Sequence, residues 1–471
     1  MTDAITDRGL VEVAGAIRAG EVSSVECTRA CLERIERLQP ATNAFIRIDD
    51  DEALAAASQA DEAVARGDDL GPLHGVPLAH KDLLYRAGRV STGGSEILRN
   101  RVAPVTATAA ERLDGAGALD LGTLNMSEFA AGGTGHNEHH GDCRNPWDTE
   151  RSTGGSSSGS GCAVAARMVF GALGSDTGGS VRMPAALCGV TGLKPTDGRV
   201  SRFGVMPRSW TSDTLGPMAR SARDVARLLG VIAGHDPRDP ATRQVPVPDY
   251  EAEIESGVDG LRVGLPRRGW LEHAGAEVQD VVEDVRRCLE SLGCRVGAVD
   301  APDPTPAFDL SEIIVKSESA SLHERWLRER PGDYSIAIRA PIEAGLYIPA
   351  AHYLHALRMR GPTLEAFHRA VFASVDVLLV PAAPFAAPLL ADCDPNSTTG
   401  AARTMAEFPR FTRPISYLGL PALVLPGGFS DTNVPIGFQL VGAPFAESLL
   451  LRLGHRYQQA TDWHRRRPSI G

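Results

Sequence analysis

Short apolar runs alternate with longer segments of helical periodicity along most of the chain. In the helical segments apolar residues recur every three or four positions, whereas the apolar runs are only four to seven residues long. This alternation is typical of an α/β fold, in which helices pack against a central sheet. The strand candidates are Val76–Ala79, Ala118–Leu121, Leu261–Leu265, Val375–Val380, Ala422–Leu425 and Pro435–Val441. The helix candidates are Val11–Leu38, which can hold a break, Asp51–Arg66, Ala107–Gly115, Ala222–Ile232, Gly275–Leu292 and Glu447–Ala460.

These elements are expected to form a single domain over residues 1–471. The predicted architecture is a mixed, mostly parallel central β-sheet that helices cover on both faces. The proline-rich stretch Ala301–Pro306 predicts a loop, and the chain shows no internal repeat or low-complexity tail.

Composition narrows the function classes. The 48 basic and 59 acidic side chains leave a net charge of −11, which argues against broad nucleic-acid binding. The first residues are acidic where a secretion signal would be basic and then apolar, and no later segment is apolar enough to span a bilayer. We therefore expect a cytoplasmic protein. Eight cysteines without a Cys-x-x-Cys pair do not indicate a disulfide scaffold.

Candidate chemistry is concentrated in residues 154–182, where two serine clusters in glycine-rich backbone flank the apolar segment Cys162–Leu173. Glycine permits backbone conformations in which successive N–H groups of residues 177–179 turn toward one point beside Ser180. Such donors suit an oxyanion and indicate a hydrolase centre. A flexible linker has a similar composition, but it would not continue directly into helix-compatible and apolar sequence.

A second interpretation of this stretch makes Ser157 the nucleophile. Gly155–Gly159 fits the Gly-x-Ser-x-Gly pattern of a nucleophile elbow, in which the serine follows a buried strand. The preceding residues 142–153 are polar and rich in turn formers, so that strand is not predicted. The sequence therefore favours Ser180.

Lys81 follows another short apolar run, Val76–Ala79, and stands between His80 and Asp82. This pattern is typical of a buried strand whose carboxyl end opens onto a site. A lone lysine is most often a solvated surface residue. In a partly dry pocket, however, burial lowers the pKa of a lysine from about 10.4, and the neutral amine can act as a base.

Three pieces of the chain together resemble the amidase signature family: Lys81, Gly-Gly-Ser-Ser-Ser-Gly-Ser from Gly154, and Asp-Thr-Gly-Gly-Ser-Val-Arg-Met-Pro-Ala from Asp176. That family uses a Ser-cis-Ser-Lys triad, and its two serines have the spacing of Ser156 and Ser180, which are 24 residues apart. The resemblance implies that Ser180 is the nucleophile, Ser156 the bridging serine on a cis peptide and Lys81 the base. It implies no metal and no other cofactor.

The similarity is uneven along the chain. It is dense over Leu73–Met218, returns near the C-terminus and is loose over residues 235–370. The resemblance therefore implies a catalytic core of about residues 70–220 and 375–465 within the single domain. The loosely matching residues 235–370 are expected to shape the substrate site.

The resemblance also assigns supporting roles around the triad. The oxyanion-hole amides are those of Thr177, Gly178, Gly179 and Ser180. The residues expected to support the active-site loop without proton transfer are Ser157, Asp176 and Arg182. The residues expected to contact substrate are Gly132, Gly133, Thr134 and His136.

Two further patterns have competing interpretations. The cluster His136–His140 contains metal-ligand residue types, but no second set of ligands with suitable spacing accompanies it, so we expect no metal there. A group of apolar side chains indicates either a wall over the site or ordinary core packing. These residues are Tyr334, Ile336, Ile338, Leu346 and Tyr347.

We therefore expect an enzyme that hydrolyses the carbon–nitrogen bond of a small-molecule amide, with esters and carbamates as further substrate classes. The alternative within the family is the catalytic component, called A, of a glutamine-dependent tRNA amidotransferase. The positions that match its glutamine-binding arginine and aspartate read Ala340–Pro341 and Pro409–Phe411, so those charge partners are missing. As partners we expect the small-molecule substrate, with a homodimer allowed, and neither nucleic acid nor membrane.

Overall fold

The computed structural model describes residues 2–394 and 406–470, and its centre is an eleven-stranded sheet. The strands are β1 (Phe45–Ile48), β2 (Pro77–Lys81), β3 (Leu119–Leu124), β4 (Arg144–Asn145), β5 (Asp148–Ser152), β6 (Gly171–Asp176), β7 (Thr191–Lys194), β8 (Thr214–Ala219), β9 (Arg262–Pro266), β10 (Arg295–Val299), β11 (Val377–Pro381), β12 (Ala422–Phe429) and β13 (Pro435–Gly442). The order across the sheet is β1-β3-β2-β6-β8-β7-β12-β13-β11-β9-β10, and β4 and β5 form a separate ribbon.

Helices flank this sheet and supply most of the remaining regular structure. They are α1 (Thr2–Thr6), α2 (Leu10–Arg18), α3 (Ser24–Thr42), α4 (Asp50–Arg66), α5 (Thr108–Gly115), α6 (Ser158–Ala165), α7 (Arg182–Cys188), α8 (Ala222–Ile232), α9 (Ala276–Ser291), α10 (Thr305–Glu329), α11 (Ile336–Ala344), α12 (Ala350–Val371), α13 (Arg413–Tyr417) and α14 (Glu447–Ala460). Apolar side chains of both layers share one large buried cluster. In the described residues no helix is both long and apolar enough to cross a membrane.

The sheet is mixed. β2 pairs in parallel with β3 and β6, and β9 pairs in parallel with β10 and β11. Antiparallel pairs connect β6 through β8, β7, β12 and β13 to β11, and also join β1 to β3. The antiparallel centre includes β12 and β13, which a short turn can join without a helical crossover. The α/β class and the mixed central sheet flanked by helices are confirmed.

All six predicted strands lie in this one sheet, as β2, β3, β9, β11, β12 and β13. The predicted helices correspond to α2, α3, α4, α5, α8, α9 and α14, and the break allowed within residues 11–38 separates α2 from α3. The break has a local cause, because Ser23 caps α3 by accepting the N–H of Glu26 at 3.0 Å. Strong periodicity therefore predicted the elements that carry it.

The sequence pattern does not predict β6 or α10. β6 reads Gly-Ala-Leu-Gly-Ser-Asp and is buried throughout, so it shows no alternation of polar and apolar residues. α10 buries polar residues such as Ser311, Glu318 and His323 among its apolar ones, which breaks the helical periodicity. The predicted loop Ala301–Pro306 is wrong at its end, because Pro306 lies in the first turn of α10, where no intrahelical N–H donor is needed.

Three elements of this fold meet at one edge of the sheet. β2 ends at Lys81 and its parallel neighbour β6 ends at Asp176, so both carboxyl ends face the same side. The loop after β6 carries Ser180 into α7, and the long helix α10 packs against α13 beside it. The candidate chemistry is therefore assembled from segments that are far apart in sequence.

Candidate active site

Lys81 is fully buried at the end of β2. Its Nζ donates hydrogen bonds to Ser156 Oγ and to Ser175 Oγ, each at 2.8 Å. Burial lowers the pKa of Lys81 well below its ordinary value of 10.5, and the positive charge of Arg208 lowers this pKa further. The amine therefore loses its proton at a lower pH than an exposed lysine does, and it then accepts a proton through the Ser156 hydroxyl.

Backbone contacts bring Ser156 and Ser180 together. The peptide bond between Gly155 and Ser156 is cis, and the Ser127 N–H donates to the Ser156 carbonyl at 3.1 Å. The N–H of Ser157 donates to the Ser180 carbonyl at 3.2 Å, which ties the two serine segments directly to each other. Lys81, Ser156 and Ser180 thus lie in one buried site, as the sequence predicts.

Ser157 occupies a different position. Its Oγ donates to the Ser175 carbonyl at 3.2 Å and accepts the Ser175 N–H at 3.3 Å, so its hydroxyl bridges the serine loop to β6. The preceding strand β5 pairs with β4 in the separate ribbon rather than within the central sheet. The strand arrangement of a nucleophile elbow is therefore missing at Ser157.

The loop of residues 177–180 presents backbone N–H groups beside Ser180. One predicted oxyanion donor needs correction, because the Gly179 N–H donates to Asp176 Oδ1 at 2.7 Å and is already used. Among the described residues, the N–H groups of Thr177, Gly178 and Ser180 have no protein acceptor. Gly179 has a φ of 132°, and a side chain there would collide with the Thr412 hydroxyl, so its glycine identity follows from close packing.

A fully buried ion pair holds this loop from behind. Arg182 donates to the Asp176 carboxylate through Nε at 3.0 Å and through a terminal guanidinium nitrogen at 2.9 Å. Burial alone would raise the pKa of Asp176, but the Arg182 charge and hydrogen bonds lower it to about 2. The guanidinium also donates to Ser416 at 2.7 Å and to Gln439 at 3.2 Å. Asp176 and Arg182 are therefore saturated with partners and support the loop.

Breaking this pair should be costly for stability. Asp176→Ala leaves the Arg182 charge buried without its carboxylate, and we expect the free energy of unfolding to fall by about 3–5 kcal/mol. Chemical denaturation measures the change. The matched control is Asp284→Ala, since Asp284 pairs with Arg287 on the exposed surface and should cost less than about 1 kcal/mol. Equal losses in the two variants would contradict the supporting role.

A cavity of about 100 Å³ opens beside Ser180. Ser180 is the member of the Lys81–Ser156–Ser180 group that lines it, so a bound molecule meets Ser180 first. In the described part of the chain, its charged lining side chains are Arg208 and Arg413, both cations. The remaining lining residues are Ala131, Gly132, Gly133, Thr177, Gly178, Met183, Val315 and Pro409.

The predicted substrate contacts divide into two groups. Gly132 and Gly133 line the cavity as expected, but Thr134 and His136 do not. Thr134 is buried and its hydroxyl pairs with His136 Nδ1 at 2.7 Å, so these two side chains are engaged with each other. The prediction for Thr134 and His136 is wrong because the chain turns away from the cavity immediately after Gly133.

The predicted apolar wall is also absent from this cavity. Tyr334 and Ile338 are buried in the core, whereas Ile336 and Tyr347 are 66% and 80% exposed. The lining comes instead from Val315 of α10 and from the segment around α13. No local pattern in the sequence marks Arg208, Val315 or Arg413 as cavity residues, because distant segments bring them together.

Two other features were tested for a role. A larger cavity of about 640 Å³ lies between the N-terminal helices and the C-terminal segment, and none of the predicted catalytic residues lines it. Within the described residues, no group of three or more His, Cys, Asp or Glu side chains is placed to hold a metal ion. In the His136–His140 segment, His139 Nε2 instead lies 3.0 Å from Glu128 Oε1.

Known proteins resemble the chain over almost its full length. A family model described as Amidase matches residues 26–451. The A component of the glutamyl-tRNA(Gln) amidotransferase of Coxiella burnetii (strain Dugway 5J108-111) is 38% identical over 485 residues, covering 98% of this chain and 99% of the relative. A solved structure described as "An unexpected vestigial protein complex reveals the evolutionary origins of an s-triazine catabolic enzyme" is 37% identical, with a TM-score of 0.89 over 96% of this chain and 98% of its own. Peptide amidase from Stenotrophomonas maltophilia is 31% identical, with a TM-score of 0.83 over 98% of each chain.

Proposed function

The chain belongs to the amidase signature family, and on that premise we propose that it hydrolyses the carbon–nitrogen bond of a small-molecule amide through an acyl-enzyme on Ser180. The observation that carries this proposal is the 2.8 Å hydrogen bond from the buried Lys81 Nζ to Ser156 Oγ, beside the Ser180 loop. Esters and carbamates are further substrate classes, because their acyl transfer uses the same groups.

The proposed reaction begins with neutral Lys81. Lys81 takes a proton from Ser156 while Ser156 takes one from Ser180, and the Ser180 Oγ attacks the amide carbonyl carbon. The N–H groups of Thr177, Gly178 and Ser180 then stabilise the tetrahedral oxyanion. The relay returns the proton to the leaving nitrogen as the carbon–nitrogen bond breaks. Water, activated by the same relay, hydrolyses the acyl-enzyme and restores Ser180.

The neighbouring residues have supporting roles in this proposal. Ser157 anchors the serine loop to β6 through its two hydrogen bonds to Ser175. Asp176 and Arg182 hold the oxyanion loop without exchanging protons, while Gly132 and Gly133 provide an uncrowded wall for the substrate. We further propose that residues 235–370 shape the substrate site, since α10 contributes Val315 to the cavity lining.

A second candidate is the catalytic A component of a glutamine-dependent tRNA amidotransferase. The names of the relatives most similar in sequence support it more strongly than they support a free-standing amidase. That activity would release ammonia from glutamine on the same serine and would need further protein partners. The cavity argues for the first candidate, because a glutamine brings an α-ammonium group to a lining whose charged side chains are Arg208 and Arg413.

The two candidates predict different substrates for the purified chain. We expect it, without added partner proteins, to hydrolyse the monoamide of glutaric acid at least about tenfold more efficiently than glutamine, because an α-ammonium facing like charges is disfavoured. The two molecules differ only in that ammonium group, and released ammonia reports kcat/KM for both. Glutamine hydrolysis that appears only beside the added amidotransferase partners, with no turnover of simple amides, would establish the second candidate.

A further inference from the structure

The cavity beside Ser180 has an unusual charge distribution. Its charged lining residues in the described chain are two arginines, and neither is among the residues that the amide chemistry uses. Buried guanidinium groups are normally paired, because removing a charge from water is costly. The partners of Arg208 and Arg413 therefore decide whether these side chains are structural or face a ligand.

Arg413 is fixed from one side by α10. It forms an ion pair with Glu312, and its guanidinium carbon lies 5.3 Å from the centre of the Phe308 ring. Glu312 also pairs with Lys316 at 2.8 Å, so its carboxylate is shared between two cations. A side chain added at Gly178 would lie 3.3 Å from Arg413 Nε, which shows how closely the guanidinium approaches the oxyanion loop.

Arg208 is held mainly through its backbone. Its N–H donates to Asp213 at 2.8 Å, and its carbonyl accepts from the Ser319 hydroxyl at 3.0 Å. The side chain donates to the Ala130 carbonyl, a neutral acceptor. Asp213 also accepts the Thr177 hydroxyl at 2.6 Å, so the segment that carries Arg208 is connected directly to the oxyanion loop.

Both guanidinium groups keep unused hydrogen-bonding capacity at the cavity. The Nε of Arg208 and the Nε of Arg413 are buried, and within the described residues neither has a hydrogen-bond partner. Burial lowers the pKa of Arg208 to about 10 and that of Arg413 to about 9, so both remain cations at neutral pH. Arg208 also lowers the pKa of Arg413, because the two charges repel. An anion between them would relieve this repulsion and accept their N–H groups.

We propose that Arg208 and Arg413 form a carboxylate-binding subsite, so that the amide substrate carries a carboxylate near its scissile carbonyl. The inference rests on the proposed function for the reacting end of the substrate, and it adds the chemical class of the other end. Planar guanidinium groups match a carboxylate in shape as well as charge. A zwitterionic amino acid fits less well, because Glu312 is already engaged by Arg413 and Lys316.

The turnover test compares amides that differ only in charge. The monoamides of malonic, succinic and glutaric acid are paired with propanamide, butanamide and pentanamide, which replace the carboxylate by a methyl group. We expect kcat/KM to favour the best acid over its neutral partner by at least about tenfold, as for hydrogen bonds to a charged group. Arg208→Met and Arg413→Met should remove that preference and leave turnover of the neutral amides within about threefold.

Control variants separate recognition from folding. Arg410→Met removes an arginine that pairs with Glu407 and does not line the cavity, so the preference for acids should remain. Arg413→Lys keeps the charge without the planar fork and should retain part of the preference. Thermal unfolding of each variant identifies any that misfold. Equal loss of acidic and neutral substrates in both Met variants, or no preference in the unaltered chain, would overturn the subsite.

A binding measurement keeps the subsite separate from the chemistry. Ser180→Ala protein is titrated calorimetrically with malonate, succinate and glutarate, with and without Arg413→Met. We expect the best of these dianions to bind at least about tenfold more weakly when Arg413 is replaced. Binding that follows Arg413 without amide turnover by the unaltered chain would overturn the proposed function and support the subsite. Turnover of neutral amides with no dianion binding would overturn the subsite alone.

Discussion

Replacing Ser180 with alanine is expected to lower amide turnover by at least about 10⁴-fold while the protein remains folded. The acyl-enzyme needs the Ser180 Oγ, and this residue lines the cavity beside N–H groups that have no other acceptor among the described residues. Alanine removes only the hydroxyl and leaves the loop backbone in place. Initial rates of ammonia release, together with a thermal unfolding midpoint close to that of the unaltered chain, measure the effect.

Ser157→Ala is the matched control, because it removes a neighbouring buried serine hydroxyl. We expect activity within about tenfold of the unaltered chain, since Ser157 Oγ contacts the Ser175 backbone rather than the cavity. A fluorophosphonate probe should add its mass to the peptide that contains Ser180. An adduct on Ser157, or an inactive Ser157→Ala beside an active Ser180→Ala, would move the nucleophile to Ser157.

The second large effect concerns the base. Lys81→Met is expected to lower kcat by about 10²–10⁴-fold, the usual contribution of a positioned general base. Because the neutral amine is the active form, the rate should rise with pH through the pKa of Lys81 and then level off. Burial places that pKa below 10.5, so the rising limb should lie below the pH at which an exposed lysine titrates. Lys81→Arg should not restore activity, since a guanidinium stays protonated.

The charged neighbours of Lys81 provide a directional check. Arg208 lowers the pKa of Lys81, whereas Asp176 and Asp213 raise it. Arg208→Met removes a positive neighbour, so the rising limb should move to higher pH when a neutral amide is the substrate. His80 is a poor replacement base, because burial lowers its pKa to about 3 and its Nδ1 accepts the Leu173 N–H at 3.2 Å. An active Lys81→Arg with an unchanged pH profile would falsify the base assignment.

The cavity lining bears on the choice between the two candidate functions. The positions read as Ala340–Pro341 and Pro409–Phe411 suggested that the charge partners of glutamine are missing. The structure adds two cations at other positions, Arg208 and Arg413, so charged recognition is present but differs in sign balance from what an amino acid requires. Substrate charge is therefore the property that distinguishes a free-standing amidase from an amidotransferase component in this chain.

Much of the architecture was predictable because it depends on local periodicity. The runs that became β2, β11 and β12 are apolar over several consecutive residues, and such runs are buried wherever the chain places them. The motif residues Lys81, Ser156 and Ser180 were identifiable because their types and spacing resemble a known family. The proximity of Lys81 to Ser156 then follows from the parallel pairing of β2 with β6.

Other features depended on contacts that no local pattern encodes. Gly179 appeared to be an oxyanion donor, yet its N–H is taken by Asp176 at 2.7 Å. His136 appeared to face the substrate, yet its ring pairs with Thr134 at 2.7 Å. Hydrogen-bond partners of this kind depend on loop conformation, and loops of similar sequence can direct the same group toward a neighbour or toward a cavity.

The sequence by itself determined the class of fold, the family and the residues that can carry out acyl transfer, because periodicity and motif spacing are properties of consecutive residues. Only the tertiary structure decided which side chains surround the reacting serine. Arg208 lies before β8, Val315 lies in α10 and Arg413 begins α13, and these segments meet only when the sheet and its flanking helices are assembled. The charge that a substrate encounters beside Ser180 is consequently a property of long-range packing, whereas the chemistry at Ser180 is a property of the local motif.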